Sequence, residues 1–189
     1  MKIALIPVGD TEWQRDGRLL GRVELPLLPE GAANCAEWAQ TLREAGVSRI
    51  LHAPDELSSQ TAKTVGGALG VSAKAVDELA EVDVGLWVGL TRDQLETRYE
   101  SAYHELLESP LSVAPPGGEA FVDALERLRS CLRRRIKRTS KGTLGVVLRP
   151  LALALTRLEL EKGESAKVWE WAWNEREPRL VEYLKPDQE

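Results

Sequence analysis

Two histidines, His52 and His104, and two cysteines, Cys35 and Cys131, are the chain's imidazoles and thiols. His52 closes a short apolar run, Arg49 to Ala53, which would set its ring at the end of a strand, where it could serve as a nucleophile. A histidine held there by a hydrogen bond is the plainer reading of the same pattern. His104 falls in a mixed polar helical stretch and reads as a surface residue. Cys35 and Cys131 occupy apolar positions of helical patterns, which suits buried thiols better than a disulfide framework or a metal cluster. The stretch KIALIPVGDTEWQRDGRLLGRVELPLLPEG, Lys2 to Gly31, raises a different question. Its apolar run leaves through Pro7 and Val8 into Gly9, Asp10 and Thr11. A strand exit of this kind is where an α/β enzyme places catalytic side chains, and Pro7 and Val8 supply none.

Elements that could position these residues follow from the hydrophobic pattern. Ile3–Val8, Arg49–Ala53 and Thr143–Leu148 are short and continuously apolar or β-branched, as strands buried on both faces are, and they predict a largely parallel sheet. Between the first two, Ala32, Cys35, Ala36, Ala39 and Leu42 recur at helical spacing after Pro29, with Gly46 just past the last turn. A second helix is predicted from Leu57 to Leu69, ending at Gly70. Thr91 is placed to cap a helix through Leu95, and a helical stretch around Tyr103 to Leu107 leads to Pro110; residues 91–110 read as a helical insertion. After the loop Pro115, Pro116, Gly117, Gly118, apolar residues at Phe121, Leu125, Leu128, Leu132 and Ile136 mark a long amphipathic helix. Leu151, Leu155 and Leu158 mark another. Two late strands, Lys167–Trp173 and Arg179–Leu184, complete the expected sheet, and the first would carry Trp169, Trp171 and Trp173 on one side. Those indoles either build core or form a partner-binding surface.

The whole composition is that of an ordinary globular protein: 189 residues, 43% hydrophobic and 29% charged, enough for one domain spanning 1–189. The net charge of -5 argues against a nucleic-acid partner, which needs an excess of Lys and Arg on one face. The basic run RRRIKRTSK, Arg133 to Lys141, reads as the solvated C-terminal end of the long helix, complementing its dipole. Met1–Val8 is too short for a signal peptide's apolar region, and no stretch approaches the roughly 20 apolar residues of a membrane span. With unpaired cysteines, the expected setting is the cytoplasm, away from the membrane.

Five segments, in order, resemble the histidine phosphatase superfamily, the phosphoglycerate mutase-like family. Trp13, Gly17, Arg18, Gly21, Pro26, Leu27 and Gly31 keep step with that family's first motif, which opens Arg-His-Gly-Glu-Thr. Ala53, Pro54, Gln60, Thr61 and Ala62 echo its second; Glu81, Gly85, Trp87 and Gly89 look like its third; Pro115 to Phe121 is similar to its Pro-Gly-Gly-Glu-Ser loop; and Gly145 to Pro150 stands where it has a strand and second His-Gly. The resemblance covers nearly the whole chain and implies an α/β fold, a three-layer α/β/α sandwich with a mostly parallel central sheet.

In active members of that family a histidine attacks phosphorus, two arginines and a second histidine surround the transferred oxygens, and an acid protonates the leaving group. The resemblance sets Pro7 at the first arginine, Val8 at the nucleophile, Leu57 at the second arginine and Arg149, followed by Pro150, at the second histidine. Gln14, Leu20 and Leu28 replace further polar positions. Glu81 alone retains its role, that of the acid. The resemblance therefore implies a catalytically inactive member, a pseudoenzyme acting by binding or scaffolding, through an apolar pocket around Val8, Leu20, Leu28 and Leu57 or through a protein surface. The ligand-binding residues expected are Gly9, Gln14, Glu81 and Arg149, toward a small anionic ligand; in the competing reading Arg149 only pairs with a carboxylate. A protein partner and a homodimer are open as well. No cofactor or metal is expected. The alternative function is a phosphatase or phosphoglycerate mutase-type enzyme with residual or altered activity using Glu81, Arg149 and His52.

Overall fold

A computed structural model of the chain describes residues 1–137 and 142–183. The late strand expected to reach Leu184 and the last residues of the Arg133–Lys141 run therefore extend partly outside the described residues. Strands β1 (Lys2–Pro7), β2 (Val47–His52), β3 (Ala73–Ala75), β4 (Thr143–Leu148) and β5 (Arg179–Glu182) form a sheet in the order β3-β2-β4-β1-β5. β1 runs parallel to β4, and β2 parallel to both β3 and β4; β5 lies antiparallel on β1. The sheet is mixed but mostly parallel, as the buried-strand pattern predicted.

Alternation along β1 explains the layers. Ile3 and Leu5 point to one face and Ala4 and Ile6 to the other, and all four are fully buried, because consecutive side chains leave a strand on opposite sides. Helices α2 (Pro29–Glu44) and α3 (Glu56–Leu69) cover the Ala4 and Ile6 face with Cys35, Leu42, Leu57, Ala62 and Val65. The helices α6 (Phe121–Lys137), α7 (Pro150–Glu161) and α8 (Val168–Asn174) cover the Ile3 and Leu5 face. The short α1 (Glu12–Arg15) follows β1, and α4 (Arg92–Arg98) and α5 (Glu100–Glu108) make up the helical stretch expected at 91–110. Local signals act as read: Thr91 caps α4 through a capping box with Gln94, and Gly70 ends α3 in the left-handed conformation.

One expectation fails. Lys167–Trp173 is not a strand; Val168–Asn174 is helix α8. The alternation of indoles suggested period 2, but Trp169 and Trp173 are also i and i+4, neighbours on one helical face, and their rings meet edge-on at 5.5 Å. Trp169 is buried and also meets Tyr103 edge-on at 6.5 Å. Trp171 faces elsewhere, under the Arg157 guanidinium at 3.9 Å from the ring centre. The three indoles therefore split: one is core, and two are half-buried against it. The strand β3 escaped the sequence reading because three residues, Ala-Lys-Ala, carry little strand propensity.

Candidate functional site

The carboxyl ends of β1, β2 and β4 bring together the segments singled out by the sequence. Past Pro7, Val8 donates its N–H to Leu148 O at 3.1 Å, continuing the ladder with β4. Its side chain is 3% exposed and packs with fully buried Leu57 and with Leu20 and Cys35; Leu28 is half-buried outside that cluster. The Gly9 N–H is not free to bind an anion, since it donates to Thr61 Oγ1 at 3.0 Å. A side chain at Gly9 would press on Leu27 Cδ1 and come within 2.8 Å of Cys35 Sγ, so those side chains would have to shift to admit it. Gln14 completes a capping box: its Oε1 accepts from Thr11 N at 3.1 Å, while Thr11 Oγ1 accepts from Gln14 N at 3.3 Å.

Glu81 is 2% exposed. Its Oε1 accepts from Val82 N and Ala152 N, both at 2.7 Å, and its Oε2 from Leu151 N at 3.0 Å. The residue at the N-cap of α7 is Arg149, whose side chain cannot accept a hydrogen bond; Glu81 supplies the missing acceptor from across the fold and puts negative charge at the positive end of the helix. Burial pushes the Glu81 carboxyl above its ordinary value of 4.5, opposed by the Arg149 charge and by the three N–H donors.

Arg149 is 1% exposed. Its Nη2 donates to Val23 O at 2.8 Å, and its Nη1 lies 3.6 Å from Asp55 Oδ1. Asp55 in turn caps α3 by accepting from Ser58 N at 3.0 Å. The adjoining cleft, about 260 Å³, is lined by Arg22, Glu24, Pro54, Asp55, Ala80, Glu81 and Arg149, so three carboxylates meet two guanidiniums. Arg22 is tied down as well, donating to Glu81 O at 2.7 Å and Glu119 Oε2 at 3.0 Å. The third and fourth sequence segments are joined here: Leu86 N donates to Pro116 O and Glu119 N to Asp83 O, and at Gly85, with φ of 49°, a side chain would strike Pro116 O.

His52 is buried, with Nδ1 2.7 Å from Ala53 O, which is the hydrogen-bonded terminus of the plainer reading. His104 is exposed. The sequence reading did not single out Asp55, Arg22 or Arg176. For Asp55 a signal existed, since an Asp just before an apolar-periodic helical run is an N-cap pattern; for Arg22 and Arg176 nothing local marks the partners. Among the described residues no cluster of three or more His, Cys, Asp or Glu could hold a metal, and no helix is long and apolar enough to cross a membrane.

A parallel-rich sheet between helical layers, with these five segments gathered at its carboxyl end, defines an α/β protein of the phosphoglycerate mutase-like fold. The chain belongs to the histidine phosphatase superfamily (branch 1), whose family model matches residues 3–185. It is 32% identical over 165 residues to the bifunctional protein Rv2228c of Mycobacterium tuberculosis, covering 86% of this chain but only 45% of that relative. It is 25% identical to phosphoserine phosphatase 1 of Hydrogenobacter thermophilus over 86% of this chain and 79% of that one. The solved mycobacterial glucosyl-3-phosphoglycerate phosphatase Rv2419c, complexed with VO3, superposes with a TM-score of 0.78 at 22% identity, over 88% of this chain and 85% of the other.

Proposed function

We propose that this member of the superfamily has lost phosphoryl transfer and acts by binding. One observation carries the reading: the positions that the family resemblance assigns to the nucleophile and to a phosphate-holding arginine are Val8 and Leu57, and both are packed into one apolar cluster. An aliphatic side chain has no lone pair to attack phosphorus, and neither Pro7 nor Leu57 offers a guanidinium to the equatorial oxygens. Arg149, the cation nearest that spot in the family pattern, is turned toward Val23 and Asp55. Losing groups that act as a unit removes nearly all of the rate enhancement rather than a share of it. The proposed setting is cytoplasmic, and the partner is a small anion, another protein or a second copy of the chain.

The raised pKa of Glu81 favours one competing reading, a phosphomonoester hydrolase or phosphomutase with altered machinery, since a leaving-group acid needs such a shift. Phosphatases among the similar proteins point the same way. Assays with p-nitrophenyl phosphate and 3-phosphoglycerate separate the two. No turnover above buffer is expected; turnover at the ordinary enzymatic rate of about 1 s⁻¹ or more would overturn the proposal, and its loss in His52→Ala or Glu81→Gln would then locate the machinery.

A further inference from the structure

A second cleft lies beside the family site, between the start of α4 and the end of α8. Its volume is about 470 Å³, and its lining includes Gln14, Thr91, Arg92, Trp173, Asn174 and Arg176. That volume falls within the range of small-molecule sites. Three of the lining side chains carry a donor that is buried and has no hydrogen-bond partner: Arg92 Nη2, Trp173 Nε1 and Arg176 Nη1. Buried donors are normally paired, and these three belong to residues that line one cleft.

Arg149 too has buried donors without a hydrogen bond, Nε and Nη1, but a carboxylate, Asp55, stands 3.6 Å from it. Arg92 makes no ion pair among the described residues; its guanidinium lies 4.8 Å from the centre of the Trp173 ring, which fixes its place without neutralising it. Arg176 has only a loose pairing, with Asp10 at 3.9 Å. Two aspartates, Asp16 and Asp93, share the lining, but Asp16 is opposed by Arg18 at 3.6 Å. Arg92, Trp173 and Arg176 thus bring two planar cations and an indole N–H to the lining, with Nη2, Nε1 and Nη1 respectively lacking a hydrogen bond. Guanidinium groups match the geometry of carboxylate and phosphate oxygens.

We propose that this cleft is a binding site for the oxyanion group of a small molecule, a phosphate or carboxylate, held by Arg92 and Arg176 with the Trp173 N–H as third donor. It adjoins the site at Val8, Leu57 and Arg149, sharing Arg176 with the pocket that Val8 lines, and it holds its ligand without transforming it. Calorimetric titration of the full chain with inorganic phosphate, and separately with acetate, tests it, with Trp173 as a fluorescence reporter. Saturable one-to-one binding is expected, together with a loss of affinity of about tenfold in each of Arg92→Gln and Arg176→Gln. Trp173→Phe, which keeps the ring but loses the N–H, should weaken binding by a smaller factor. Saturation by phosphate alone or acetate alone identifies which oxyanion the cleft prefers. Arg22→Gln, in the other cleft, should leave the affinity unchanged. Absence of saturation at tens of millimolar of either anion would overturn the proposal, as would binding insensitive to Arg92→Gln and Arg176→Gln in variants whose circular dichroism matches the parent. Turnover of p-nitrophenyl phosphate bears only on the proposed loss of catalysis, so the two readings fail separately.

Discussion

Glu81, the position that the family resemblance assigns to the acid, has an architectural part in this fold. Its carboxylate takes three backbone N–H groups and closes the N-terminus of α7. In Glu81→Gln an amide NH2 must face one of these donors, and stability should fall by about 1–3 kcal/mol, measured by urea unfolding. The pH response follows from the raised pKa. An acid whose folded pKa lies above its unfolded value binds more protons when folded, so its contribution is complete below the unfolded pKa and is lost as pH rises through the folded one. Parent and Glu81→Gln should therefore differ most in slope above about pH 4.5, with the variant lacking the parent's fall. The thiols make a second prediction at this scale. Burial pushes Cys35 up to about 11 and raises Cys131, so neither should react with Ellman's reagent near pH 8 until the chain is denatured. These residues were unequally legible. Pro7, Val8 and Leu57 could be found because flanking residues such as Trp13, Gly17 and Gln60 set the register. The partner of Arg149 could not, because Asp55 follows β2, which neighbours β4 in the sheet but is distant in the chain, and no local pattern ties the two.

At the scale of elements, what the sequence disclosed depended on whether local and tertiary forces agreed. The helix α6 was plain because five apolar residues hold one stripe and all five are buried. The helix α8 was misread because Val-Trp-Glu-Trp-Ala-Trp satisfies a period of 2 as neatly as a pairing at i and i+4, and the choice is made outside the segment. Packing against α7, the Trp169–Trp173 edge contact and the Arg157 and Arg92 guanidiniums over Trp171 and Trp173 are available only to the helix. Trp169 is the anchor of this arrangement, wedged between Trp173 and Tyr103. Trp169→Ala should cost about 3–5 kcal/mol, as truncation of a buried aromatic does, visible as a lower urea midpoint; Trp169→Phe should recover a good part of it. An equal loss in Trp171→Ala would show that α8 is not anchored through its buried face.

For the molecule as a whole, the apolar cluster under the strand exits decides whether the family's nucleophile and arginine could be written into this fold. The double variant Val8→His/Leu57→Arg would write two of the missing family residues into the fold, yet both positions lie in the layer where Ile6, Ile50 and Val147 meet α2 and α3. An imidazole at Val8 would be desolvated beside Cys35, and a guanidinium at Leu57 would sit in the first turn of α3, at the positive end of the helix. Each buried ion costs several kcal/mol, against a typical whole-domain stability of about 5–15 kcal/mol. The pocket also lacks what would repay that cost. Pro7 leaves no first guanidinium, Gly9 N–H is committed to Thr61, and Arg149 remains bound to Asp55 and Val23. The double variant should thus unfold at markedly lower urea than the parent and show no hydrolysis of p-nitrophenyl phosphate. A stably folded double variant that turned the substrate over would mean that the cluster can open into a polar cradle, and that the aliphatic packing at Val8 and Leu57 is a lightly held replacement rather than a part of the core on which α2 and α3 rest.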